Sequence, residues 1–315
     1  QRNIPFQLVG YAMPGEASMA SSGLIAPITG RRYVNAWRID EFLAKAKEFY
    51  HWTETLLGSS FFFPVEIVRY LVHQEGRMAW ERRLDDPEYT EYISTKKYPD
   101  LDHLGKPYGV MTGGYRLDTP GWIKAVRKFL YAKDLYEALD KPYVADPDYE
   151  GPVIFATGAV DPTFAGRIIP NKGESLLVKM PGWHIKAAIK EEVFILPLDE
   201  PGRLWIGSYY QPWPDDPYPS EEGKSRILDS ISKVYPEKVE VLAHMAGVRP
   251  TVNDRRPLIG PMPGHTGAFI FNGMGTKGTS LAPYWADQLI SYINGESILP
   301  DEVLPDRYIP VERRD

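Results

Sequence analysis

The stretch Phe271–Ser280, FNGMGTKGTS, sets Gly273, Gly275 and Gly278 in a G-x-G-x-x-G spacing, after the strand-like run Ala268-Phe269-Ile270-Phe271 and before a helix-like run. This is the local form of a dinucleotide-binding turn. Such a turn needs a second strand after its helix and an acidic residue about 20 positions on, to hold a ribose hydroxyl. Here the helical run (Leu281, Trp285, Leu289, Tyr292, Ile293) is followed only by GESILPDEVLPDRYIP, whose prolines forbid an inner strand. The fingerprint fails, and two readings remain. In one, the glycines merely join a strand to a helix. In the other, amides at the helix start, the positive end of its dipole and Lys277 attract an electron-rich group, including a ring carbonyl that gains charge on reduction.

Just upstream lies AGVRPTVNDRRPLIG, Ala246–Gly260. Gly-x-Arg-Pro followed by Asp-x-x-Pro-x-x-Gly keeps the chain rigid around Arg249, and a planar guanidinium held that way suits bidentate binding of a carboxylate. The plain alternative is a structural arginine paired with an acid such as Asp254.

Further out, Phe6–Val9 is expected to be a short buried strand, followed by the loose, small-residue stretch PGEASMASSGLIAPITGRR. Helical spacing begins at Ile39 and runs through Phe42, Leu43, Ala46, Phe49 and Tyr50. A second helix starts at Asp118-Thr119-Pro120, with Thr119 as N-cap and Pro120 at the first helical position. Val153–Phe155 is expected to be a buried strand ending in a tight turn at Ala156-Thr157-Gly158. Glu192–Pro197 and Arg203–Tyr210 are strand-like, residues 221–234 helical, and the proline-rich tail after Gly295 a surface wrap. The mixture implies a nucleotide-type α/β core interrupted twice by a more antiparallel sheet domain.

The chain has 315 residues, 43% hydrophobic and 25% charged, which is globular composition. A net charge of −6 gives no global positive field, so nucleic acid and anionic membranes are not expected partners. With no cysteine, thiolate metal sites, thiol nucleophiles and cysteine-linked cofactors are excluded. The longest apolar run, around Phe61-Phe62-Phe63-Pro64-Val65, is far short of the roughly 20 residues of a membrane helix.

Taken together, AGVRPTVNDRRPLIG and FNGMGTKGTSLAPYWADQLI resemble the C-terminal signature of the D-amino acid oxidase and glycine oxidase family of FAD-dependent oxidoreductases. IPFQLVGYAMPGEASMASSGLIAP is similar to that family's second strand and flavin loop, and PVIFATG to its strand end beside the cofactor. IIPNKGE and GRLWIGSYY resemble segments of its substrate domain. The resemblance implies a mixed α/β (α+β) fold, an FAD-binding Rossmann-like domain interleaved with an antiparallel-sheet substrate domain. The expected FAD-binding parts are residues 1–48, 119–165 and 246–315, and the substrate parts 49–118 and 166–245.

Carried over by position, the resemblance implies cofactor contacts at Ser21, Ser22, Gly23, Leu24, Thr157, Gly158, Gly273, Gly275, Thr276, Lys277, Gly278 and Thr279. Arg249 matches the carboxylate-binding arginine, and Tyr209, Tyr210 and Tyr115 are pocket candidates, for each of which plain packing is the alternative. Two departures stand out. The first strand and glycine-rich turn of the family pattern are missing before Gln1-Arg2-Asn3, which implies a truncated sequence lacking roughly 25 upstream residues. Gly10 stands where an acidic residue would hold the ribose.

The implied activity is oxidation of a C–N bond in an amino acid or related amine by hydride transfer to flavin N5, the imine then hydrolysing. FAD would be held non-covalently, with O2 or another electron acceptor regenerating it, in the cytoplasm. Two alternatives stay open: a cofactor-free or truncated remnant acting as a binding module, and a family member acting on a modified tRNA base.

Overall fold

The computed structural model describes residues 4–141, 143, 149–159, 166–235, 237 and 239–307. Gln1-Arg2-Asn3, before which the family pattern's first strand and glycine-rich turn were missed, lie outside the described residues.

Four short strands, β1 (Leu8–Tyr11), β2 (Leu24–Ile25), β3 (Ile28–Thr29) and β4 (Val34–Asn35), precede the helix α1 (Ile39–Leu57). α1 follows the expected spacing: Ile39, Phe42, Leu43, Ala46 and Tyr50 are buried, and Gly58 closes it in the left-handed region at φ 65°. Next come β5 (Phe62–Tyr70), α2 (Gln74–Leu84), β6 (Ile93–Ser94), β7 (Tyr108–Leu117) and α3 (Thr119–Tyr131). The N-cap of α3 is Asp118, whose carboxylate accepts the Gly121 N–H, and not Thr119 as expected. An acid one residue earlier reaches the free amide of the first turn, while the Thr119 hydroxyl turns back to the Leu117 carbonyl.

The chain continues through β8 (Tyr136–Leu139), β9 (Val153–Phe155), β10 (Ile169–Lys179), β11 (Ala188–Lys190), β12 (Phe194–Pro197) and β13 (Arg203–Pro212). Then follow α4 (Glu221–Ser232), capped by Ser220, β14 (Glu240–Thr251), β15 (Leu258–Pro261), β16 (Ala268–Asn272) and α5 (Gly278–Ile293).

The largest sheet has nine strands in the order β14-β10-β13-β12-β11-β5-β7-β2, with β6 also paired to β7. Its pairs are antiparallel except β11 with β5. Three smaller sheets accompany it: β15-β16-β9, in which β16 and β9 are parallel; the parallel pair β1-β8; and β3-β4. This is the mixed α/β architecture expected from the sequence. The expected boundary at 245/246 falls inside β14, and β2 adds to the large sheet although it lies within residues 1–48.

Alternation along the strands gives the large sheet two apolar faces. Ile67, Ala188, Leu196 and Trp205 pack on one face with α1 and Trp80. Val68, Val110, Leu176, Ile189 and Ile206 pack on the other with Ile227 and Ile231 of α4. A third core joins Phe42 of α1 to Leu281, Trp285 and Leu289 of α5. Each such buried side chain contributes about 1.5–3 kcal/mol.

Three local expectations change. The strand placed at Phe6–Val9 is Leu8–Tyr11, and it is half-exposed because, among the described residues, β8 is its only strand partner. β9 has Ile154 40% exposed, so it is not the buried strand expected. The tail wraps in two short 3-10 turns but is pinned, since Leu299 and Val303 enter the α1–α5 core.

Candidate functional site

β14 ends at Thr251, and antiparallel pairing sets Arg249 opposite Asn171 of β10 and Gly247 opposite Gly173. Arg249 therefore shares a face with Asn171, Gly173 and Ser175, whose Oγ donates to the Ala20 carbonyl. The guanidinium lies directly over Gly173, where any Cβ would collide with it. Nη2 donates to Ser208 Oγ at 3.1 Å, and Cζ stands 4.7 Å from the Tyr210 ring centroid. Among the described residues, Nη1 is buried with no protein acceptor, as is Asn171 Oδ1 with no donor. Burial pulls the Arg249 pKa below the ordinary guanidinium value, and Tyr210 opposes that shift. Asp254, the alternative structural partner, bonds instead to Arg307 at 2.9 Å. The cation is thus backed by a ring, braced by a hydroxyl, and left with a buried donor, the arrangement a carboxylate would complete.

The glycine turn reaches this strand end. Gly275 N–H donates to the Pro250 carbonyl at 2.9 Å, one residue past Arg249. Gly275 has φ 55°, and a Cβ there would meet only Thr251, at 3.7 Å. Lys277 occupies the N-cap position of α5 without a side-chain cap; the Ser280 N–H donates to its carbonyl at 3.1 Å, while among the described residues the Gly278 and Thr279 N–H groups have no backbone acceptor. Its pKa is lowered, first by burial and then by the nearby Arg255 and Arg256 charges. Gly278 and Thr279 open the helix, the Thr279 carbonyl accepts from Tyr50 Oη of α1 at 2.9 Å, and Thr276 is exposed. Gly273 is different: a Cβ there would strike Val252 and Leu258, so its bareness serves packing.

The other two segments converge on the same turn. Asn272 Nδ2 donates to the Gly158 carbonyl at 2.9 Å while its Oδ1 accepts the Gly273 N–H at 2.8 Å, which ties the end of β9 to the turn. Thr157, beside Gly158, is exposed. In the early loop, Ser21 and Ser22 accept the N–H groups of Gly23 and Leu24, so both hydroxyls shape the loop itself. Gly23, at φ 66°, presses on the Leu117 carbonyl, and Leu24 enters β2. The same loop crosses β14, with Val248 N–H bonded to the Gly15 carbonyl at 2.8 Å, and α5 packs against β2.

Of the three candidate tyrosines, Tyr210 is the one at Arg249. Tyr209 points to the opposite face, toward α4, where burial and then Glu222 raise its pKa. Tyr115 lies on β7 at the far end of the sheet order, stacked on Phe62 at 4.6 Å with Lys47 over its ring. The sequence reading missed Asn171, Gly173, Ser208 and Asn272. Only Asn272 carried a local signal, an amide directly before the first glycine of the turn; the others are joined to the site by strand register.

Residues 8–291 match the family model described as FAD dependent oxidoreductase. Among curated relatives, glycine oxidase of Pseudomonas aeruginosa is 28% identical over 149 residues, 46% of this chain and 40% of that protein. The match therefore spans less than half the length of that relative. Among solved structures, glycine oxidase from Geobacillus kaustophilus superposes with a TM-score of 0.80 at 16% identity, covering 96% of this chain and 92% of the other. L-amino acid deaminase from Proteus vulgaris gives 0.76 at 10% identity, covering 96% and 91%. At these identities the structural likeness speaks for the fold. No helix among the described residues is long and apolar enough to cross a membrane.

Proposed function

The chain belongs to the family of FAD-dependent oxidoreductases, and on that premise we propose that it oxidises the C–N bond of an amino acid or related amine anchored by its carboxylate on Arg249. The observation that carries this reading is the half-buried guanidinium braced by Ser208 and Tyr210, with Nη1 left without an acceptor, one residue from the carbonyl that binds the glycine turn.

The residues present fit the flavin end of the cofactor. Uncapped amides at the α5 N-terminus and the half-buried Lys277 favour the electron-rich edge of a ring. Gly275 and Gly158, both at positive φ with little or nothing within contact of a Cβ, leave room beside it. In this reading Gly275 to Thr279 and Gly158 line the ring and the cofactor is held non-covalently; the chain has no cysteine for a thioether link. When bound, FAD supplies the two-electron acceptor for the substrate C–N bond.

The chain's own part is positioning. Arg249 takes the carboxylate in a bidentate grip, Ser208 fixes the fork, and Tyr210 excludes water from one face of the guanidinium. The groups placed around the guanidinium, Asn171, Gly173, Ser208 and Tyr210, include no carboxylate or imidazole, so anchoring and charge stabilisation carry the contribution. Arg249→Ala tests the assignment. The substrate KM should rise roughly 10- to 100-fold, as loss of charge-assisted hydrogen bonds worth about 1.5–3 kcal/mol implies, with FAD content unchanged. An unchanged KM removes Arg249 from the substrate site.

A further inference from the structure

The face of the large sheet that carries Arg249 holds two further cations. Arg69 of β5 follows Ile67 by two residues, and Lys190 of β11 follows Ala188 by two. Both apolar residues belong to the core on that face, so both cations point the same way. Arg69 and Lys190 are directly opposed across the parallel β11–β5 pair, both half-buried. Among the described residues neither forms an ion pair with a carboxylate. Arg69 lies 4.6 Å from the Tyr33 ring centroid; Lys190 Nζ donates to the Glu192 carbonyl at 3.0 Å and stands 4.6 Å from the Phe194 ring. Like charges opposed on neighbouring strands repel. The strain registers in the titration of Lys190, whose pKa is pulled down to about 8 by burial and by the Arg69 charge. For the fold alone the pair is a cost, and an anion set between the two heads would turn that repulsion into attraction.

Position gives the pair a use. Phe194 faces Lys190 on one side and Gly207 on the other, and Gly207 adjoins Ser208, the residue bracing the Arg249 guanidinium. A row therefore crosses the sheet from Ser208 past Gly207, which the Trp205 ring covers, to Phe194, Lys190 and Arg69, so an apolar span would run along Trp205 and Phe194. At a strand spacing of about 4.8 Å, the Lys190 strand lies roughly 10 Å and the Arg69 strand roughly 14 Å from the strand of Ser208. Lys190 leans over the Phe194 ring, which shortens the gap and floors it with an apolar surface, while Arg69 stays over Tyr33.

We propose that Arg69 and Lys190 form a second anion subsite, so that the preferred substrate is an amino acid or amine bearing two acidic groups separated by an apolar span over Phe194. This deepens the reading given under Proposed function and rests on Arg249 holding the first carboxylate.

The test is calorimetric titration of the FAD-loaded protein at neutral pH and low salt. The ligands are the α,ω-diacids from glutarate to suberate and the monocarboxylates of equal carbon number. At least one diacid should bind roughly 10-fold tighter than its monoacid, the gain expected of one half-buried charge-assisted contact. Lys190→Gln should reduce that preference, and Arg69→Gln with Lys190→Gln should abolish it while monoacid affinity stays within about twofold. Removing mutually repelling charges should not unfold the protein, and flavin content and melting temperature check that for each variant. If monoacids bind the wild-type protein but diacids bind no tighter, or if the double variant keeps the preference, the subsite is overturned and Arg249 stands. If no acid binds at all, the carboxylate reading of Arg249 falls together with the subsite.

Discussion

Gly173→Ala offers a way to disable Arg249 without touching it. Gly173 lies in β10 with no positive φ, so alanine suits its backbone. The added Cβ, however, would stand closer than 3.0 Å to Nη1, Nη2 and Cζ of Arg249. Those atoms are the far end of a flexible side chain, so the guanidinium should swing away and the sheet should hold. The swing breaks the Ser208 bond and the Tyr210 contact, and it removes the donor left for a carboxylate. Losing charge-assisted hydrogen bonds worth about 1.5–3 kcal/mol corresponds to a roughly 10- to 100-fold rise in half-saturating substrate. Stability should change little, since one hydrogen bond worth about 1 kcal/mol is lost while Gly→Ala at a compatible site returns about 0.4–1 kcal/mol. The assay is anaerobic bleaching of the flavin absorbance against substrate concentration, which needs no knowledge of the electron acceptor. Combining Gly173→Ala with Arg249→Ala should add nothing beyond Arg249→Ala alone. An unchanged half-saturation in Gly173→Ala would refute the reasoning, as would a stability loss of several kcal/mol, because either means the guanidinium does not move as argued.

Other perturbations probe the turn and the cation pair. Asn272→Ala removes two buried hydrogen bonds joining Gly158 and Gly273, and it should cost about 2–3 kcal/mol in denaturant unfolding and weaken FAD binding; equal FAD affinity would detach the β9 end from the cofactor site. Lys277→Met should lower the flavin midpoint potential by roughly 20–40 mV, the equivalent of about 1–2 kcal/mol in a two-electron couple, and no shift would place that charge away from the ring. Lys190 has a folded pKa of about 8 against its ordinary 10.5. Between those values the unfolded chain binds the proton more, so stability should rise as pH climbs from about 8 to 10.5. Lys190→Met should flatten that rise, and a wild-type slope of opposite sign would refute the depressed pKa.

The legible parts of this protein are those whose chemistry is local. α1 could be read from Ile39 to Tyr50 because a helix face repeats every 3.6 residues, and the turn after Phe271 because glycines at fixed intervals announce a backbone that side chains would block. The cap of α3 was misread by one residue because Asp118 and Thr119 compete for the same amide and only geometry decides between them. Tyr209 and Tyr210 were inseparable in sequence, yet a strand sends neighbours to opposite faces, which puts one at Arg249 and the other beneath α4.

The sequence by itself determined the family pattern, the mixed α/β class and the two segments, around Arg249 and Gly275, that make up the candidate site. Tertiary structure alone decided what surrounds the guanidinium. Asn171, Gly173 and Ser208 lie on strands up to 78 residues away in the chain, at 171 and 249 for the widest pair. The register of hydrogen bonds between β10, β13 and β14, a property of chain segments distant in sequence, sets which of their side chains share a face, and no local periodicity encodes that choice.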